Sequence, residues 1–224
     1  MSALIAMQGI CKHYTRGGQT VRALDGVNFT VQDGEMVAIL GPSGSGKSTL
    51  MNILGCLDTP TTGTYRLAGQ AVERMTEGEL SHVRGRTVGF VFQGFHLLPG
   101  LTAQENVELP LLYRGIPEER RRRLARESLA RVGLADRMDH RPAELSGGQQ
   151  QRVAVARAIA GKPPMLLADE PTGNLDTAAG REIMGLLRDL HREGHTVVII
   201  THDPAIGAAC PRRVHIRDGK LTEG

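Results

Sequence analysis

Gly41-Pro42-Ser43-Gly44-Ser45-Gly46-Lys47-Ser48 decides how this chain is read. It fits the phosphate-binding pattern G-x-x-x-x-G-K-[ST] at every fixed position. Glycines let the backbone wrap closely, so that successive N–H groups point at phosphate oxygens. Lys47 is then placed to reach the β- and γ-phosphates, and the Ser48 hydroxyl to hold Mg²⁺. The flanks agree. Met36-Val37-Ala38-Ile39-Leu40 before the loop reads as a buried strand. Lys47 to Leu54 after it reads as the start of a helix, whose dipole favours an anion at its N-terminus.

Outward from the loop, composition sets the bounds. The chain has 224 residues, 40% hydrophobic and 23% charged, which is ordinary globular usage and enough to bury a sizeable core. A net charge of +3 is small for this length and points to a weakly basic surface rather than a nucleic-acid partner. Cys11, Cys56 and Cys210 are odd in number, widely separated and without metal spacing, as suits a reducing compartment. No apolar run reaches the ~18 residues of a membrane span. The N-terminus lacks the pattern of a secretory signal. The chain is therefore expected in the cytosol, meeting any membrane through a partner.

Short apolar runs at Leu4 to Ile10, Val27 to Val31 and Met36 to Leu40 predict a β-rich start. Thr64 to Leu67 and Val88 to Phe92 read as further strands. From about Phe95 to Ala160 the spacing turns helical, as in Glu118 to Val132. Met165 to Ala168, Val197 to Ile200 and Val214 to Ile216 then return to strand character, with helical Thr177 to His191 between the first two. This alternation implies a largely parallel sheet with crossover helices, interrupted by a helical insertion. The run Glu118-Glu119-Arg120-Arg121-Arg122-Arg123 follows Pro117 with its acids in the first helical turn. Arg123 and Glu127 are spaced to pair, so a solvated helix face accounts for the arginines better than nucleic acid does.

Four further features carry chemistry. Met165-Leu166-Leu167-Ala168-Asp169-Glu170 is an apolar strand ending in two acids. Asp169 at the strand end can hold Mg²⁺ through water, and Glu170 can polarise a water for in-line attack on a γ-phosphate. His202 follows the strand Thr196 to Thr201, at the carboxyl end where α/β sheets place ligands. Gln93 ends Val88 to Phe92, where an amide can contact Mg²⁺ or the attacking water. Leu145-Ser146-Gly147-Gly148-Gln149 precedes a helical run from Gln150 to Ala160 and forms a second anion cradle of hydroxyl, bare N–H groups and dipole. A chain with one nucleotide loop has use for a second cradle if it serves a nucleotide held by another copy.

The order of phosphate loop, Gln93, LSGGQ, Asp169-Glu170, Asn174-Leu175-Asp176 and His202 resembles the ATP-binding-cassette ATPases over nearly the whole chain. The resemblance implies an α/β P-loop NTPase fold, one cassette over residues 1–224. Residues 1–94 and 161–224 would form the core, with a β-rich N-terminal part, and 95–160 an inserted α-helical subdomain. It implies ATP and Mg²⁺ as ligands. The nucleotide would meet the loop Gly41, Pro42, Ser43, Gly44, Ser45, Gly46, Lys47, Ser48 and Thr49, with Tyr14 stacked on adenine. Mg²⁺ would meet Ser48, Gln93 and Asp169, while Glu170, His202, Gln93 and Lys47 serve catalysis. Two ATP would lie sandwiched in a head-to-tail homodimer, each against the other copy's Ser146, Gly147, Gly148 and Gln149, with Asp176 at the interface.

Leu54-Gly55-Cys56-Leu57-Asp58, Gly89 to Gln93, His96-Leu97-Leu98-Pro99, Glu105 to Glu108, Ser146 to Arg152 and Pro171 to Asp176 narrow the resemblance to the macrolide-exporter and lipoprotein-release subfamily. Gly63 to Gln70 and His215 to Gly219 look closest to macrolide exporters. That implies an ATPase on the cytoplasmic side of the inner membrane. It would drive a permease subunit, or a fused C-terminal membrane domain, carrying a periplasmic domain. The alternatives are a lipoprotein-release ATPase and a coupler that signals through a membrane partner without transport. A cassette acting on ribosomes or DNA usually comes doubled or split by coiled coil, and this one is single and unsplit.

Overall fold

The structure, a computed structural model, describes residues 3–224. In chain order its elements begin with β1 (Ala3–Arg16), β2 (Gln19–Gln32), β3 (Met36–Leu40), α1 (Lys47–Leu54), β4 (Thr62–Leu67), β5 (Gln70–Ala71) and α2 (Glu77–Thr87). They continue with β6 (Val88–Phe92), α3 (Ala103–Tyr113), α4 (Glu118–Arg131), α5 (Gly147–Ile159) and β7 (Met165–Asp169). Last come α6 (Thr177–Arg192), β8 (Thr196–Thr201), α7 (Pro204–Ala208), β9 (Arg212–Arg217) and β10 (Lys220–Glu223). The chain divides into two compact units. One runs to Arg84 and resumes at Thr196; the other is Gly85–His195.

In the first unit, β2-β1-β4-β5 form an antiparallel sheet. Along β2, Leu24, Val27, Phe29 and Val31 are buried while Asn28, Thr30 and Gln32 are exposed. That alternation covers one face of the sheet and leaves the other to solvent. β3 lies between β8 and β9 and runs parallel to both, and β10 folds back antiparallel on β9. Every residue of β3 and β8 is buried, as expected of parallel strands covered on both faces. Asp218-Gly219 joins β9 to β10 with φ of 49° and 74°, the left-handed pair that a two-residue hairpin demands.

In the second unit, β6 and β7 run parallel with Phe92 opposite Asp169. Gly89 lets α5 approach β6: a Cβ there would stand 2.4 Å from the Ala158 carbonyl. Thr102 and Glu105 form a capping box at the start of α3. Arg121 pairs with Glu108 at 2.9 Å, joining α4 to α3. On the exposed face of α4, Arg122–Glu118 (2.7 Å) and Arg123–Glu127 (3.7 Å) pair at i,i+4, the arrangement expected of a solvated face.

The expected strands and helices are present, with differences in extent. β1 and β2 run well past the apolar runs that announced them, because backbone pairing continues through the polar residues His13–Arg22 and Thr15–Thr20. The helix expected from Gln150 begins at Gly147, where Ser146 caps it. Thr64 to Leu67 belongs to the antiparallel sheet rather than to the parallel strands. The short edge strands β5 and β10 had no apolar run to announce them.

Candidate functional site

In the first unit, the phosphate loop leaves β3 and enters α1 through Gly46 at φ 105°, a backbone only glycine adopts at low cost. Its path is fixed by close approaches from other strands. A Cβ on Gly46 would stand 2.5 Å from the Ala23 carbonyl, and one on Gly41 would stand 2.4 Å from that of Ile216. The Gly219 N–H donates to the Ser45 carbonyl at 3.0 Å, and the Asp25 N–H donates to the Gly219 carbonyl at 2.9 Å. So β2 and the β9–β10 hairpin hold the loop from outside. Lys47 Nζ donates to the Gly41 carbonyl (2.7 Å) and the Pro42 carbonyl (2.8 Å), bridging the mouth of the loop. Ser48 is exposed, as are Pro42, Ser43 and Gly44. Ser45 Oγ is buried with no hydrogen-bond partner among the described residues.

Two other candidates lie in this unit. Leu40 pairs with Thr201 across β3 and β8, so Gly41 and His202 leave the carboxyl ends of adjacent parallel strands. Tyr14, 41% exposed, donates its hydroxyl to Asp58 at 3.0 Å and hydrogen-bonds Thr49 on α1. Partial burial, then the Asp58 hydrogen bond, raise the Tyr14 pKa. Lys12 bonds Asp58 at 2.6 Å, and its ammonium stands 5.2 Å from the centre of the Tyr14 ring.

In the second unit, the register of β6 and β7 sets Gln93 and Glu170 one step beyond the paired Phe92 and Asp169. Glu170 adopts φ 43°, a left-handed conformation uncommon outside glycine, and its carbonyl accepts the Gly173 N–H at 3.0 Å. Gln93 Nε2 donates to Asn174 Oδ1, and Asn174 Nδ2 donates to the Gln93 carbonyl, both at 3.1 Å. Ser146 caps α5 by accepting the Gln149 N–H at 3.3 Å, while Gln149 Oε1 accepts the Ser146 N–H at 2.9 Å. A Cβ on Gly148 would meet the Ala179 side chain at 3.1 Å. Asp176 caps α6, accepting from the N–H groups of Ala178 (2.8 Å) and Ala179 (2.9 Å), and these bonds hold its pKa below the ordinary carboxylate value.

The first unit thus gathers Tyr14, Thr49, the phosphate loop and His202. The second gathers Gln93, Asp169, Glu170, the Ser146–Gln149 cradle and Asp176. Asp58, Asn174, Ile216 and Gly219 stood in motif runs of the sequence and Ala23 and Lys12 in none, but nothing in the sequence assigned any of them the role of holding these in place: Ala23, Ile216 and Gly219 at the loop, Asp58 and Lys12 at Tyr14, Asn174 at Gln93. Only the Asp218-Gly219 dipeptide carried a legible signal, that of a hairpin turn.

Residues 24–173 match the family described as ABC transporter. YvrO of Bacillus subtilis, an ABC transporter ATP-binding protein, is 52% identical over 97% of this chain and 95% of its own length. The macrolide export ATP-binding/permease protein MacB of Photorhabdus laumondii is 51% identical over 99% of this chain. The chain spans only 34% of that relative. Among solved structures, a dimeric post-hydrolysis state of the ATP-binding cassette MJ0796 with ADP and Pi matches with a TM-score of 0.89. It is 43% identical and covers 98% of both chains. The chain belongs to the ABC transporter family, as one of its ATP-hydrolysing P-loop cassettes.

Proposed function

We propose that this cassette binds ATP with Mg²⁺ and hydrolyses it at the interface of a homodimer, powering a macrolide-exporter-like complex from the cytoplasmic face of the inner membrane. The phosphate loop carries the proposal, with Lys47 held across its mouth and α1 opening behind it. Lys47 exchanges the carbonyls of Gly41 and Pro42 for β- and γ-phosphate oxygens, which are stronger acceptors for an ammonium. Tyr14 offers its ring to adenine, steadied by Asp58 and Thr49. The exposed Ser48 hydroxyl, the Asp169 carboxylate and the Gln93 amide are hard oxygen donors, which suit Mg²⁺. When bound, that ion offsets phosphate charge.

Glu170 accepts a proton from the attacking water, and His202 and Gln93 orient that water. The partner copy's Ser146, Gly147 and Gly148 present a capped helix N-terminus to the γ-phosphate. Asp176 borders the opposite site. Catalysis is then mainly positioning and electrostatics.

A membrane permease, as a separate subunit or as a fused segment bearing a periplasmic domain, is the proposed partner. Its docking surface is the segment from Phe95 to Pro110 with the end of α3, where Leu98 is 49% and Tyr113 87% exposed. No helix of the described residues is long and apolar enough to cross a membrane itself.

Mixing Lys47→Ala with Ser146→Arg subunits tests the shared site. Mixed dimers contain one site with both defects and one intact site, whereas each variant alone contains none. Activity that returns only on mixing is expected. No recovery, together with a Glu170→Gln variant that stays monomeric with ATP by sizing, would defeat the proposal.

A further inference from the structure

Three features of the second unit converge on the segment after Gln93. First, Phe95 and His96 are consecutive residues in the left-handed region, at φ 58° and 49°. Neither is glycine, and such backbone persists only where the surroundings over-determine it. The segment is folded tightly on itself: the His96 N–H donates to the Gly94 carbonyl at 2.5 Å, and the His96 ring stands 4.8 Å from that of Phe92. Second, Arg157 of α5 donates to both strained residues, Nη1 to the His96 carbonyl at 2.5 Å and Nη2 to the Phe95 carbonyl at 2.8 Å. No carboxylate pairs with Arg157 among the described residues, and burial pushes its pKa down. The guanidinium reaches the two carbonyls through two separate nitrogens of one rigid plane, a spacing that the single nitrogen of an ammonium does not reproduce. Third, the same helix reaches the other loop. Gln151, wholly buried, donates to the Pro171 carbonyl at 2.6 Å, one residue beyond Glu170. The two loops meet where Gln93 and Asn174 bond each other.

We propose that Arg157 is a positioning residue that locks the strained Phe95–His96 turn to α5, so that the Gln93 amide keeps its place and moves only when the helix bearing the Ser146–Gln149 cradle moves. The proposal rests on the role given above to Gln93. Without the fork, the two left-handed residues relax towards ordinary backbone, and Gln93, two residues before them, loses its register with Asn174. Arg157 touches neither nucleotide nor water in this reading and acts only through Gln93.

A double-mutant cycle on the full chain separates this from a purely structural role. Arg157→Gln should lower kcat roughly tenfold while leaving KM for ATP within about twofold, since a misplacement near 1 Å is costly to turnover. Arg157→Lys, which keeps the charge but not the two-nitrogen fork, should fall between. Gln93→Ala should lower kcat by a similar factor. The decisive result is the pair: in Arg157→Gln with Gln93→Ala, kcat should be no lower than in Gln93→Ala alone, because residues acting as a unit are not additive. Multiplying kcat losses, or an Arg157→Gln variant that melts earlier but turns over normally, would overturn the proposal. If Arg157→Gln does not fold, the same cycle is read with Arg157→Lys, and if that also fails to fold, Arg157 is a folding element and the proposal is wrong. An unchanged kcat in Gln93→Ala alone would instead sink the role of Gln93.

Discussion

Replacing Gly173 by alanine adds one methyl group at a point where the structure has no room for it. Its Cβ would lie 2.6 Å from Gln93 Nε2 and 2.9 Å from Gln93 Cδ. Gly173 is not among the positive-φ glycines, so the backbone accepts alanine and the Gln93 side chain must yield. Restoring van der Waals contact moves the amide by roughly 1 Å, which breaks its bond to Asn174 Oδ1 but spares the Asn174 bond to the Gln93 carbonyl. Losing one exposed hydrogen bond costs about 0.5–1.5 kcal/mol. Removing a glycine from the unfolded chain returns about 0.4–1 kcal/mol. Net stability therefore changes by less than about 1 kcal/mol, or about 2–4 °C in Tm for a chain of this size. Turnover is far more sensitive, because displacing a positioned group by about 1 Å costs up to a hundredfold. Gly173→Ala should thus fold and melt almost normally while kcat, measured as phosphate release, falls between about tenfold and a hundredfold. Gly185→Ala is the control. It makes the same chemical change inside α6 with nothing within 4 Å, and should gain about 0.5–1 kcal/mol with kcat unchanged. A folded Gly173→Ala protein with kcat within twofold of the parent would refute the placement of Gln93 in the reaction.

Lys47→Ala removes the ammonium that bridges the loop, and calorimetry should show ATP affinity reduced by at least about tenfold, the value of a charged hydrogen bond; unchanged affinity would contradict the loop assignment. Tyr65→Phe deletes a buried hydroxyl that donates to the Leu54 carbonyl at 2.8 Å and should cost about 1–3 kcal/mol in urea unfolding with kcat unaffected, so an unshifted midpoint would be the contrary result. Burial pushes the Asp58 carboxyl up, but hydrogen bonds from Lys12, the Thr59 N–H and Tyr14 outweigh it and leave its pKa below the ordinary carboxylate value. The sign follows: its contribution is complete above that ordinary value and is lost as pH falls through the lowered one. Asp58→Asn should therefore be less stable than the parent at pH 7, with the gap closing as pH falls below the ordinary carboxylate pKa. A gap that stays constant across urea midpoints in that range would exclude the carboxylate as its source.

Legibility in the sequence followed burial. β3, β7 and β8 are apolar runs covered on both faces, and α1 opens at the lysine where the motif placed it, so these could be read directly. The outer halves of β1 and β2 could not, since Arg22, Thr15 and Thr20 are held by backbone pairing that leaves no hydrophobic period. α3 carried a readable start, Thr102 three residues before Glu105, but the Pro110 inside it argues against a helix. At the candidate site, residue identities came from local motifs, while their supports came from afar. Ile216 and Gly219 reach the phosphate loop through sheet order, and Asn174 reaches Gln93 through the pairing of β6 with β7. The left-handed backbone of Glu170, Phe95 and His96 had no local announcement either, because none of the three is glycine or asparagine.

The hairpin turn at Asp218-Gly219 has a consequence for dynamics. Its backbone bonds both the Ser45 carbonyl and the Asp25 N–H, so the phosphate loop cannot open while that turn stays shut. Loop and hairpin form one unit of local unfolding, although they lie near opposite ends of the chain. The Gly219 amide proton should then exchange with solvent at the rate at which the loop opens. Nucleotide, by holding the loop closed, should slow exchange at a glycine that never touches a phosphate.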